Sequence, residues 1–431
     1  MERQQINNLL NFLDQSPSAY HAILNIKSRL QEAGFEQLFS GQSWKLEVGK
    51  KYFITKNHSA LFAFVPGIGD FAENGFKIVC AHSDSPTFKI KPQPEILTEG
   101  KCLKLNTEVY GGPIMYTWFD RPLSIAGRVM TKSKNILKPQ TNFINFNRPL
   151  LEIPHIAIHF NRAVNDTGNP LSKQRDMLPV ISILNNQLEK ENFLIKLIAK
   201  EMGINPSDIL DFDLTLYEYT NACLLGANNE FISSGRLDDL AMVEAGLTAL
   251  INSTETEATK ILAIFDNEEV GSGSKQGAAS PILRTVIERI AIGLKKSPED
   301  QHRAIHNSFV ISADMAHAIH PNYPEKHDPT NHPIMNGGPV IKINANQKYI
   351  TDGDSGAVFK SICEKAGVPC QTFVNHSDML GGSTLGNLLM QQMEMRGVDI
   401  GNAMWGMHSV RETSSALDHL YMIKALTTFY N

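Results

Sequence analysis

Residues 260–274 read KILAIFDNEEVGSGS. The apolar run at 261–265, bounded by polar residues, predicts a buried strand. Asp266, Glu268 and Glu269 follow within four residues, and a glycine-serine turn closes the stretch. Open α/β sheets bind ligands outside the carboxyl ends of their strands, so a strand emptying into neighbouring carboxylates predicts a site there. A solvated acidic loop is the competing reading.

The same arrangement recurs along the chain. FKIVCA at 76–81 runs into His82-Ser83-Asp84-Ser85-Pro86, and residues 231–236 lead into Leu237-Asp238-Asp239 and a helix to about Asn252. SFVIS at 308–312 ends in Ala313-Asp314-Met315-Ala316-His317, and residues 403–407 deliver His408. Parallel strands of one sheet would gather His82, Asp238, Glu268 with Glu269, Asp314 and His408 into one crevice. Two histidines and three carboxylates suit a borderline divalent ion such as zinc, and they outnumber the three protein ligands of one catalytic zinc. Two metals about 3.5–4 Å apart, sharing a bridging carboxylate and a water, would use the whole set. Manganese and cobalt tolerate similar ligands.

Composition narrows the class. A chain of 431 residues predicts roughly two to three domains. Hydrophobic residues at 42% suffice for large cores, and a net charge of −5 leaves no basic footprint for nucleic acid or membrane surfaces. Five irregularly spaced cysteines, Cys80, Cys102, Cys223, Cys363 and Cys370, point to a reducing compartment. The opening residues MERQQINNLLNFLDQ lack the apolar core of a signal peptide, and no run approaches a membrane span. The expected location is the cytoplasm.

Taken in order, residues 4–15 carry Ile6, Leu9, Leu10 and Leu13 at helical spacing, and Ser16-Pro17 predicts the start of a second helix reaching Ala33. Residues 52–65 and 76–81 predict strands. From about Lys91 proline, glycine and short alternating runs such as LSIAGRVM indicate a β-rich segment, with IPHIAIHF another strand candidate. Residues 182–202 read as a helix. After 222 the α/β rhythm resumes, with helices expected at 281–294 and 383–396 and strands at 339–343 and 371–374. The expected fold class is α/β, a mixed sheet flanked by helices with a β-rich domain inserted into it, because site-like motifs occur on both sides of that segment. Residues 1–92 with 223–431 would form one discontinuous domain, and 93–222 the insert.

The motifs AHSDSPTFKIKP, SGRLDDL, FDNEEVGS, SADMAHA and GMHSVRETSS stand in this order, with IPHIAIHFNR and GGSTLG among them. Together they resemble the aspartyl aminopeptidase family of dinuclear zinc exopeptidases, over essentially the whole chain. The resemblance implies a peptide-bond hydrolase with two zinc ions per subunit, a zinc-exopeptidase-like mixed sheet in residues 1–92 and 223–431 as the catalytic metallopeptidase domain, and an inserted dimerisation or oligomerisation domain at 93–222. It puts His82, Glu269, Asp314 and His408 at terminal ligand positions, with His82 and Glu269 on one metal. Residue chemistry alone leaves open which of Asp238 and Asp239 bridges the metals; the family register favours Asp238. Asp84 falls on the residue that orients His82, against a reading as a simple turn residue. Glu268 falls on the general base.

The resemblance further implies peptide substrates with acidic N-terminal residues, selected by Lys342 of PVIKINAN; an edge-strand lysine facing water is the alternative. His159 resembles a histidine that reaches a neighbouring subunit's active site, in a homo-oligomer that the family builds as a tetrahedral dodecamer; a sheet-buried histidine is the alternative. His317, His320, Asp266 and Asp378 acquire no firm role. Two other functional classes stand beside acidic aminopeptidase activity: a related dinuclear enzyme for neutral or varied N-termini, and a metal-binding scaffold without turnover.

Overall fold

The computed structural model describes residues 2–183 and 192–431. Contacts divide the chain into two compact units: residues 1–84, 222–407 and 412–431 form the first, and residues 85–221 with 408–411 the second.

The first unit is built on a nine-stranded mixed sheet. Its strand order is Glu36–Gln37, Tyr52–Lys56, Ala60–Val65, Thr259–Phe265, Phe76–His82, Phe309–Ala313, Arg396–Gly401, Val340–Ile343 and Gln371–Val374. The central strands are apolar on both faces because helices cover both. Alternate residues divide cleanly: Val79, Ala81, Leu262, Ile264 and Ile311 join one core, and Ile78, Cys80, Ile261, Ala263 and Val310 the other. The first core is closed by helices Glu2–Asp14, Ala19–Glu32, Leu237–Asn252, Gly353–Ala366 and Ala416–Tyr430, and the second mainly by Ile282–Gly293 and Leu385–Met390. Helix Leu237–Asn252 lies tight on the sheet at Gly246, where a Cβ would come within 2.9 Å of Leu262. A five-stranded sheet, in order Cys223–Leu225, Phe231–Ser234, Glu412–Ser415, Ala403–Trp405 and Ala316–His317, completes this unit.

The second unit is a six-stranded antiparallel sheet in the order Gln140–Asn145, Leu123–Thr131, Ile209–Glu218, Thr87–Thr98, Cys102–Tyr110 and Val180–Ile183. Helix Phe193–Met202 packs Leu194 and Ile198 into its core. Strand Thr87–Thr98 belongs here because it pairs with Cys102–Tyr110 and Ile209–Glu218.

Local corrections have local causes. The second helix starts at Ala19, because Ser18 rather than Ser16 caps it by accepting the His21 N–H. Residues 383–396 hold only the short helix Leu385–Met390, since Arg396 already opens a central strand. IPHIAIHF forms no strand: Ile153 makes an isolated bridge, and Ile158–Phe160 is a 3-10 turn. Of the helix expected at 182–202, residues 182–183 end a strand, 184–191 lie outside the described residues, and the helix runs Phe193–Met202. Among the described residues no helix is long and apolar enough to cross a membrane.

Candidate metal centre

Strands Thr259–Phe265 and Phe309–Ala313 both run parallel to Phe76–His82, which lies between them. Their carboxyl ends therefore set His82, the Glu268-Glu269 turn and Asp314 side by side. Asp238 arrives from elsewhere, which corrects the expectation of a single sheet. It follows Phe231–Ser234 of the five-stranded sheet, and Ala403–Trp405, ahead of His408, lies in that sheet too. Asp238 and Asp239, joined by a cis peptide, interrupt the first turn of their helix with φ/ψ of −80/107° and −118/18°. The preceding Arg236 anchors this turn by donating to the carbonyls of Ser16 (3.1 Å) and Leu13 (3.2 Å).

The geometry centres on His82, which is 1% exposed. Its Nε2 lies 3.4 Å from Asp238 Oδ1 and 3.8 Å from Asp314 Oδ1. Its Nδ1 faces the Asp84 carbonyl at 3.1 Å and Asp84 Oδ1 at 3.3 Å, and its backbone N–H donates to Asp239 Oδ2 at 3.1 Å. The Asp84 carboxylate also accepts the backbone N–H of Glu268 on Oδ1 (3.1 Å) and of Glu269 on Oδ2 (3.2 Å). One buried side chain thus fixes the imidazole and the turn that carries both glutamates. Asp84 is therefore more than a turn residue. Glu412, which sequence reasoning gave no role, accepts the Asp238 N–H at 3.1 Å. Only its place in the GMHSVRETSS motif hinted at this.

So many buried acids strain one another electrostatically. Burial, with Asp314 and Asp238 nearby, holds the Asp239 carboxyl well above its ordinary range against the pull of His82. Burial, reinforced by Asp238, does the same to Glu269. Glu268, half-buried, is pushed up to about 7 by burial and by Asp314, Asp238 and Asp84, against the pull of His82. Burial alone would lower His82, but Asp238, Asp239, Asp314 and Asp84 together hold it well above its usual value.

Lys342 also belongs to this cluster. It is buried (3% exposed) on a strand paired on both sides, so it is not the water-facing edge lysine of the alternative reading. Its Nζ donates to the Met315 carbonyl at 2.7 Å and lies 3.3 Å from Asp314 Oδ2. Burial opposes its charge, but Asp314 and the neighbouring acids raise its pKa above the usual lysine value.

The other singled-out residues lie as follows. Asp266, buried, accepts the Asn267 N–H and the Gln276 side-chain N–H, and so shapes the glutamate turn. His317 packs edge-on against Phe373, His320 Nδ1 accepts the Asn322 N–H, and Asp378 is exposed beside His376. His408 groups with the second unit, where its Nδ1 faces the Gly112 carbonyl at 3.1 Å and its own carbonyl accepts the Ile114 N–H at 2.9 Å. His159, also of that unit, stands exposed on its 3-10 turn, not buried in a sheet.

The first unit's residues fit a divalent cation. His82, Asp238, Asp239 and Asp314 each offer a ligand atom within 4.8 Å of the others, and His82, Glu268 and Glu269 form a second such set. Asp239 Oδ1 is buried without a hydrogen-bond partner, an arrangement an ion would relieve. The imidazole-carboxylate donors are those zinc accepts.

Comparison with known proteins agrees. The family model described as "Aminopeptidase I zinc metalloprotease (M18)" matches residues 12–430. A "Probable M18 family aminopeptidase 2" of Clostridium acetobutylicum is 53% identical over 423 residues, covering 98% of each chain. A cryo-EM structure of the Ape4 and Nbr1 complex contains a chain 36% identical, superposing with a TM-score of 0.95 over 100% of this chain and 86% of that one. The S. cerevisiae mApe1 dodecamer is 26% identical, with a TM-score of 0.86 over 99% of this chain and 96% of that one. Motifs, fold and ligand cluster converge: the chain belongs to the M18 family of zinc metallo-aminopeptidases.

Proposed function

We propose that this aminopeptidase releases acidic residues, Asp or Glu, from peptide N-termini and uses two zinc ions to do so. The observation that carries the acidic reading is a buried cation among the ligand carboxylates, Lys342, whose Nζ lies 3.3 Å from Asp314. A buried ammonium beside the site favours a substrate side chain of opposite charge.

Zinc, when bound, lowers the pKa of its water and polarises the scissile carbonyl. The protein groups divide the remaining work. His82, Asp238 and Asp314 would hold one ion; the short distances from His82 Nε2 to both aspartates support this pairing over that of His82 with Glu269. By motif resemblance, a second ion would be held by Glu269 and His408, with Asp238 shared between the two. Asp84 orients His82, as carboxylates behind metal-bound imidazoles do. Glu268 acts as general base and acid: it takes the proton of the attacking water and returns it to the leaving amine. Its carboxyl stands on the turn that Asp84 holds beside His82, next to the ligand Glu269, where both transfers take place.

The working assembly is a homo-oligomer, a tetrahedral dodecamer, in which His159 serves a neighbouring subunit. Support comes from the dodecamer formed by the yeast relative and from the exposed turn that carries His159 between exposed Ile158 and Phe160. We assign the enzyme to the cytoplasm, in keeping with cysteines that form no disulfide among the described residues.

One observation favours a second reading, preference for neutral N-terminal residues: Asp314 and the Met315 carbonyl already engage the Lys342 ammonium. Steady-state hydrolysis of Asp-, Glu- and Leu-p-nitroanilides separates the two. Higher kcat/KM for Asp and Glu supports the acidic reading, and preference for Leu overturns it.

A further inference from the structure

Asp399 is a fully buried carboxylate that the mechanism above does not use (0% exposed). It lies on strand Arg396–Gly401, between Phe309–Ala313 and Val340–Ile343. Oδ2 accepts the Ile350 N–H at 2.6 Å, and Oδ1 accepts the Thr384 hydroxyl at 2.6 Å. Its own N–H donates to Thr351 Oγ1 at 2.9 Å. Gly386 closes over both oxygens so tightly that a Cβ there would stand 2.9 Å from each.

A buried carboxylate is costly unless hydrogen bonds compensate it. The carboxylate's bonds reach out of the strand, to Ile350 on one side and to Thr384 on the other, while the backbone N–H holds Thr351. Tyr349, next to Ile350, is 5% exposed, and its ring centroid lies 5.6 Å from Lys342 Nζ. The carbonyl of Ile400, next to Asp399, accepts the Asp314 N–H at 2.9 Å. Asp399 thus stands behind both partners of the Lys342–Asp314 pair without touching either directly by hydrogen bond.

We propose that Asp399 is a positioning residue for acid recognition: by clamping Ile350, Thr351 and Thr384, it fixes Tyr349 against Lys342 and so sets where the ammonium stands. The inference rests on the acidic reading of the preceding subsection. A clamp that only stabilised the fold would alter all substrates alike. A clamp that sets the Lys342 ammonium alters the binding of acidic substrates.

The test compares Asp399→Asn with the wild-type holoenzyme on Asp- and Leu-p-nitroanilides, with zinc content and melting temperature followed in parallel. The expected result is a rise in KM for the Asp substrate of about tenfold or more, the factor that one lost charge-assisted hydrogen bond corresponds to. The kcat for Asp and the KM for Leu hold near their wild-type values. Thr384→Val, which removes the hydroxyl that donates to Oδ1 and leaves the carboxylate in place, shifts the Asp KM in the same direction by less. It decides the matter if Asp399→Asn does not fold. An equal loss on both substrates, or an unchanged Asp KM in a folded variant, overturns the proposal. A wild-type enzyme with no acidic preference overturns the acidic reading itself, and this inference with it.

Discussion

The substitution Asp84→Asn probes the site where one side chain does most. Each carboxylate oxygen accepts a backbone N–H, from Glu268 at 3.1 Å and from Glu269 at 3.2 Å, and Oδ1 also faces His82 Nδ1 at 3.3 Å. Asparagine keeps one acceptor and turns the other into a donor. However the amide rotates, one glutamate N–H then meets an N–H, and the negative charge behind His82 is gone. At 4% exposure water cannot substitute fully. A buried donor left unsatisfied costs about 1–3 kcal/mol. Spent on ligand geometry, that range corresponds to a loss of about 10–100-fold in metal affinity, the usual scale for groups that orient metal-bound histidines. Zinc affinity by competition with a chromophoric chelator, followed by kcat/KM on an aminoacyl anilide, measures it. Wild-type zinc affinity in a folded Asp84→Asn protein would refute the reasoning, because it would mean that the clamp does not govern the ligands.

Other perturbations follow from the same geometry. Glu268→Gln keeps its zinc and loses about 10²–10⁴-fold in kcat, the share of a general base; near-full activity removes Glu268 from that role. On the acidic reading proposed above, Lys342→Leu abolishes preference for Asp and Glu substrates while Leu-anilide hydrolysis persists, and an unchanged preference excludes Lys342 as selector. Away from the site, Glu244 is buried in a network with His419 Nε2 (2.9 Å), Arg29 (2.9 Å) and the Thr248 hydroxyl (2.7 Å). Burial alone would raise its pKa, but His419 and Arg29 hold it down at about 2, from an ordinary 4.5. A depressed carboxyl stabilises the fold above its unfolded pKa, and that contribution, about 3 kcal/mol, fades as pH falls from near 4.5 towards 2. Glu244→Gln therefore lowers the melting temperature most at neutral pH, and its gap from wild type narrows on acidification. A gap independent of pH contradicts this.

How far the chain could be read in advance follows from where each signal lies. The runs at 76–81, 261–265 and 308–312 were legible because strands buried on both faces carry unbroken apolar sequence, and their register then aligns His82, Glu268, Glu269 and Asp314. The route of Asp238 was not legible, since nothing in a short strand reveals which of two sheets it joins. Nor could the sequence separate Asp238 from Asp239: both are buried in the same broken helical turn, one beside His82 Nε2 and the other beneath its backbone N–H. The partners of Lys342 and Asp399 are contacts across 27 residues or more for the first and 48 for Thr351 and the second, beyond any local pattern. IPHIAIHF misled because its alternating apolar residues look like a strand, whereas Ile156, Ile158 and Phe160 are exposed.

The central claim is that hydrolysis depends on metal held by the cluster around His82. Activity on Asp-p-nitroanilide, measured after complete chelation and then during stepwise return of zinc, tests it most directly. Activity is expected to disappear with the metal and to return in full as two zinc ions per chain are restored. Undiminished hydrolysis by protein shown to be free of metal would contradict it.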